Sequence, residues 1–250
     1  MKKRVVFLTS LIVLIISILI LAVYLAYPYL RPEQKLPDVS VSTDTSSEVV
    51  LEKPDNPIDF TTLKERNQDV IGWINIPITK VDYPILQANE SLPESYYLNH
   101  NIDKDYEFAG SIYIQRLNNA DFSDPNTIIY GHNMKNGSMF ASVHKFKDKT
   151  FFDENKYIYI YTPGHILTYE IFSAYRYDSR HLLYYFNFND KQVFEDYLQT
   201  AKNPTDYIRN TRSETNVTAD DKIITLSTCI TNDNYRYLVQ GVLIDDIHTK

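Results

Sequence analysis

The chain has 250 residues, with 32 acidic against 25 basic side chains and no basic run beyond its first four positions, a balance that disfavours nucleic-acid binding. It carries six glycines and one cysteine, with no repeat at a period of about 20 to 50 residues, so solenoids, propellers and a disulfide framework are excluded.

Lys2, Lys3 and Arg4 precede an uncharged run over residues 5–27. As a helix rising ~1.5 Å per residue, this run is roughly 34 Å long and crosses the hydrocarbon core of a bilayer. The positive cluster ahead of it predicts a cytoplasmic tip, with residues 1–27 as tip and transmembrane anchor and everything after them outside the cell. A cleaved signal peptide fits less well, because Val23, Tyr24 and Leu25 interrupt the small-x-small pattern that cleavage needs. Residues 28–57 hold five of the eleven prolines, a Ser/Thr-rich centre and no glycine, which reads as a disordered tether. As a coil it reaches on the order of 30 Å. Residues 58–250 suit one domain with a single core. Setting aside Lys2, Lys3 and Arg4 leaves 22 basic against 32 acidic side chains, about −10 for the outer part.

Residues 58–67 read as a short amphipathic helix after Pro57, and residues 70–76 and 81–86 as two strands joined through Pro77 and Lys80. Two further strands are expected at 110–115 and 127–130, the second after the turn signal Asp124-Pro125-Asn126. Residues 138–146 predict a helix with Ser138 as its N-cap. Residues 157–161 and 167–177 alternate about Pro163-Gly164 as a hairpin. Asn189 can cap a helix through Ala201, and residues 223–228 and 237–244 close the chain as two strands about the polar turn Asn232-Asp233-Asn234. The sum is a mainly β domain, a mixed closed or nearly closed barrel of seven or eight strands with inserted helices.

A lone cysteine outside the cell cannot pair within the chain, so Cys229 is a buried thiol, an intermolecular bridge or a nucleophile. It ends an apolar strand, where a side chain can face a cleft. A thiol has a reference pKa near 8.5 and needs a neighbouring base or cation to react at neutral pH. Of six histidines, His132 is the best partner, because it also ends a strand and is released from it by Gly131. His100, His144, His165, His181 and His248 sit in polar loops, on a helix or near the C-terminus, and read as surface or capping residues. With no His-x-x-x-His or paired Cys/His spacing, no metal site or cofactor is expected. Arg236 opens the next strand and can reach back across the hairpin to hold a developing oxyanion.

The stretches Asp69-Val-Ile-Gly-Trp-Ile-Asn-Ile-Pro77, Val81-Asp-Tyr-Pro-Ile-Leu-Gln87, Asn126-Thr-Ile-Ile-Tyr-Gly-His-Asn133 with Gly137-Ser-Met-Phe140, and Thr225-Leu-Ser-Thr-Cys229 resemble the sortases, class B in particular. The resemblance runs in family order through nearly all of residues 58–250. It implies an eight-stranded barrel with an N-terminal helix, a helix inserted between strands six and seven, and an active site of His132, Cys229 and Arg236. The implied reaction is transpeptidation. Cys229 cleaves a C-terminal sorting signal of the Asn-Pro-x-Thr-x type after threonine, and the thioacyl-enzyme passes the secreted protein to an amine of a peptidoglycan precursor or of a pilin lysine. Tyr130, Ser227, Thr228 and Ile230 would bind substrate, together with Leu98 and Glu94. Many class B members carry asparagine where this chain has Glu94, and the interval from Cys229 to Arg236 is shorter than in several relatives. A hydrolytic cysteine peptidase and, outside the enzymes, an anchored adhesion barrel with a buried thiol are the alternatives. A papain-like fold fits badly, since there cysteine comes early and histidine later, and here the order is reversed.

Overall fold

The computed structural model describes residues 53–230 and 234–250. The expected anchor, the tether up to residue 52 and most of the turn at 232–234 lie outside the described residues, and among those described no helix is long and apolar enough to cross a membrane.

Asp59 accepts a hydrogen bond from the Thr62 N–H at 3.1 Å and so caps α1 (Phe60–Arg66), satisfying one of the helix's unpaired donors. Nine strands follow among the described residues: β1 (Val70–Asn75), β2 (Asp82–Gln87), β3 (Ile112–Ile114), β4 (Asn126–Tyr130), β5 (Tyr157–Thr162), β6 (His165–Asp178), β7 (Arg209–Thr211), β8 (Ile223–Cys229) and β9 (Tyr235–His248). They are ordered β5-β1-β2-β3-β4-β8-β9-β6-β7, and β5 also pairs with β6. Eight strands therefore close into a barrel, which leaves no free edge among them, and the short β7 is appended to β6. The β2–β3 and β4–β8 pairs are parallel and the others antiparallel, so the barrel is mixed.

Strand periodicity explains the apolar runs. Ile129 points into the barrel with Ile74, Ile112, Ile160, Leu226 and Val239, all fully buried. Its neighbour Ile128 points outward, against Phe172, Tyr175 and the inserted helix α4 (Lys191–Lys202). Because β4 is covered on both faces, it reads as an unbroken apolar run rather than an alternating one. Helix α4 lies between β6 and β7 and buries Phe194, Tyr197, Leu198 and Ala201. Asp190, not Asn189, caps it, accepting from the Gln192 and Val193 N–H groups.

The helix expected at 138–146 is a 3-10 helix over Phe140–Lys147. Ser138 is not its cap; the Ser138 hydroxyl donates to Asn136 Oδ1 at 2.7 Å. Burial of Phe140, Val143 and Phe146, three residues apart, fits a helix with three residues per turn. Helix α2 (Lys149–Glu154) continues from it, capped by Asp148, and α3 (Leu182–Tyr185) follows β6. Sequence reading found neither of these, nor β7.

Candidate active site

The parallel pairing of β4 with β8 sets Tyr130 opposite Ser227, and the Gly131 N–H extends the ladder to the Ser227 carbonyl at 3.3 Å. Two residues further along each strand come His132 and Cys229. On the other side of β8, antiparallel β9 sets Arg236 directly opposite Cys229. Three neighbouring strand ends thus bring the three residues to one cleft of about 270 Å³, which Leu98, Tyr130, Ser227 and Thr228 also line.

Close packing fixes the position of His132. A Cβ on Gly131 would lie 2.5 Å from Ile112 Cδ1 and 2.7 Å from a Phe140 ring carbon, so only glycine lets the strand end approach that closely. The Phe140 N–H donates to the His132 carbonyl at 2.9 Å. The imidazole Nε2 lies 2.9 Å from the Leu98 carbonyl. A carbonyl can only accept, so Nε2 carries the proton and Nδ1 is left for proton exchange. Phe108 stacks on the ring at 5.5 Å, 17° from parallel.

The Leu98 carbonyl is held in turn. Beside it, buried Tyr97 donates its hydroxyl to Asp69 at 2.7 Å and accepts from Asn67 at 2.9 Å. Burial pushes the Asp69 carboxyl up, but hydrogen bonds from Tyr97, Asn89 and Lys104 outweigh it and hold the group below the usual carboxylate range. Gly110 has φ +57°, and a Cβ there would sit 2.2 Å from the Leu98 oxygen. Gly110→Ala is therefore expected to cost about 1–3 kcal/mol in urea unfolding. Because the Leu98 carbonyl orients His132, the surviving folded enzyme should also show a lower kcat.

Cys229 is half-buried. Its carbonyl accepts from His144 Nε2 at 3.1 Å, and the His144 ring stacks on Tyr237 at 5.0 Å. Burial, aided by Lys147, pushes the His144 imidazole down to about 4 from 6.5, and its Nδ1 is buried without a partner among the described residues, so protonation would strand a donor. Between these two values the unfolded chain binds a proton that the folded chain does not, so stability falls as pH drops from 6.5 to about 4. The loss from this group is up to roughly 3 kcal/mol. His144→Gln keeps a donor but cannot titrate, and urea midpoints measured across that window should slope less steeply than in the wild type.

The walls of the cleft hold residues that sequence reasoning missed. Tyr113 faces both reactive groups: burial pushes its phenol up to about 12, with Cys229 adding to the effect and Arg236 opposing it. His181, expected at the surface, donates from Nε2 to Gln115 at 2.7 Å, and burial lowers its pKa. Tyr130 Oη, Thr228 Oγ1 and His181 Nδ1 are buried atoms of this lining without partners among the described residues. Such groups are costly unless something pairs with them, and an extended peptide carries the required donors and acceptors. Two of the expected substrate contacts have partners within the fold. Ile230 packs against the barrel core. Glu94 spends its carboxylate on Arg116, 2.7 Å from the Arg116 N–H and 3.0 Å from its guanidinium.

A closed mixed barrel whose cysteine, histidine and arginine meet at three strand ends defines a class of cysteine acyltransferases, and comparison with known proteins specifies which. The Sortase domain family matches residues 74–244. Sortase B of Listeria monocytogenes is 41% identical over 187 residues, covering 73% of this chain and 72% of that protein. Sortase B of Staphylococcus aureus is 28% identical, covering 74% and 72%. Among solved structures, a mutant form of Clostridium perfringens sortase B superposes with a TM-score of 0.66 at 34% identity, over 74% of this chain and 86% of that one. The chain belongs to the sortase family, as a class B sortase, and is a transpeptidase.

Proposed function

We propose that Cys229 is the nucleophile of this transpeptidase, with His132 as its acid and base and Arg236 as its oxyanion donor. The observation that carries the reading is the strand register, which sets Arg236 opposite Cys229 and runs His132 to the same strand end. Cys229 Sγ bonds to the carbonyl carbon of the scissile peptide as its proton passes to His132 Nδ1, which then delivers that proton to the leaving amine as the carbon–nitrogen bond breaks. The acceptor amine then attacks the thioester, His132 Nδ1 takes up its proton, and as the carbon–sulfur bond breaks that proton returns to Cys229 to restore the thiol. Arg236, together with a backbone N–H near Ile230, stabilises the oxyanion in both steps.

The substrate is a secreted protein bearing a C-terminal sorting signal of the Asn-Pro-x-Thr-x type, cleaved after threonine. The acceptor is an amine of a cell-wall peptidoglycan precursor, and the enzyme works on the outer membrane face, anchored by residues 5–27. Family membership and the unpartnered polar lining of the cleft support this reading, and a Staphylococcus aureus sortase B has been solved as a substrate complex. Incubating the full chain with an Asn-Pro-x-Thr-x peptide, with and without triglycine, tests it. Cleavage after threonine with a triglycine-linked product is expected; identical products with and without the amine would overturn transfer in favour of hydrolysis.

A further inference from the structure

At the far end of β6 and β9 from the cleft, antiparallel pairing sets His165 opposite His248 and Leu167 opposite Asp246. Side chains alternate along a strand, so Asp246 and His248 share a face, and His165, directly across, shares it too. The two imidazoles lie 4.3 Å apart between centroids, and His165 Nδ1 is 2.7 Å from Asp246 Oδ1. One donor atom from each of the three residues falls within 4.8 Å of the others. The group stands at the wall of a 460 Å³ cavity, to which His165 and Asp246 both contribute.

We propose that His165, His248 and Asp246 form a binding site for a divalent transition-metal ion of the zinc class. Two imidazoles and a carboxylate are a ligand set that suits zinc, copper or nickel and disfavours magnesium and calcium, which take oxygen ligands. Tetrahedral coordination with bonds near 2.0 Å needs donors about 3.3 Å apart. Modest rotation of these side chains, of which His165 and Asp246 are 36% and 43% exposed, closes the difference. As the structure stands, His165 Nδ1–H donates to Asp246 and leaves Nε2 as a lone pair. Water completes the coordination from the cavity side.

The site is remote from the chemistry. From His165 to Tyr177, which faces Arg236 across the β6–β9 pair, the strand covers roughly 40 Å. What the metal would hold together is the seam where the ends of the described domain meet. The Lys250 N–H donates to the Pro54 carbonyl at 3.0 Å, and Asn56 donates to the Thr162 carbonyl at 2.9 Å and to Thr249 at 3.4 Å. An ion here would tie β6 to β9 beside this seam, a structural role that raises stability by mass action.

Zinc titration of the untagged full-length chain, by calorimetry and by thermal unfolding, tests the assignment. Cys229→Ser is run in parallel, because the active-site thiolate also attracts zinc. The expected result is one zinc per chain that survives Cys229→Ser and raises Tm. His165→Ala, His248→Ala and Asp246→Asn should each weaken it by at least the roughly 10–100-fold that loss of an outer-shell partner costs. His248→Gln, which retains a polar side chain at that exposed position, should do the same while leaving the zinc-free Tm unchanged. Cobalt should give d–d bands without a thiolate charge-transfer band, and calcium and magnesium should not compete. Absence of zinc binding would overturn the proposal, as would binding abolished by Cys229→Ser and unaffected by His165→Ala.

Discussion

Cys229→Ala abolishes the thioacyl-enzyme, and transpeptidation of the sorting peptide falls by about 10⁴–10⁶-fold, the range seen when an acyl-transfer enzyme loses its nucleophile. Among the described residues no other group in the cleft can take over. The Ser227 and Thr228 hydroxyls are far weaker nucleophiles than a thiolate, Ser227 lies one strand pair deeper, and both residues are buried. The loss should be purely chemical. The contacts that fix this position are made by the backbone: the Cys229 carbonyl, which His144 holds at 3.1 Å, is unchanged by the substitution. Tm should therefore stay within a few degrees of the wild type. Mass spectrometry of the enzyme mixed with peptide checks the prediction, since the wild type should gain the mass of the acyl fragment and the variant should not. A variant that still forms the adduct would show that another residue is the nucleophile.

How much of this could be read in the sequence depends on whether the signal was local. The strand ends bearing His132, Cys229 and Arg236 were legible because the first two close apolar or β-branched runs and the third opens one after a polar turn, and because the family's motifs stand in order. The barrel was legible from the number of such runs. Features made by pairing between distant strands were not. Tyr113 reads as one more aromatic in a buried strand, and only the β3–β4 pair brings it beside Tyr130 and the cleft. His181 reads as a loop residue, yet it follows the end of β6, whose Tyr177 lies opposite Arg236. His144 left no such signal, since in a helix of three residues per turn it sits off the buried row of Phe140, Val143 and Phe146 and reads as surface. The zinc-class site has no sequence signature, because its histidines belong to opposite ends of two long strands. Glu94 is the reverse case: a motif position suggests substrate, and only the fold shows its pairing with Arg116.

The second large effect is expected at His132, where replacement by alanine should lower kcat/KM by about 10²–10⁴-fold, the usual contribution of a general acid and base. Alanine alone cannot separate chemistry from architecture, because His132 also donates to the Leu98 carbonyl at 2.9 Å. His132→Gln makes the separation. Its amide nitrogen can reproduce the Nε2 donor, so the loop carrying Leu98 stays tied to the strand end, but nothing at position 132 can give or take a proton. If the imidazole acts chemically, glutamine is as damaging as alanine, and the pH–rate profile loses the limb that His132 supplies. If its role is only to hold Leu98, glutamine restores most of the rate. Gly110→Ala provides the complementary test, since it pushes on the same carbonyl from the other side without touching a reactive group. In the wild type it lowers kcat by turning the imidazole. In a His132→Gln background there is no imidazole left to turn, so the two effects on kcat should fail to add, which is the mark of residues acting through one contact.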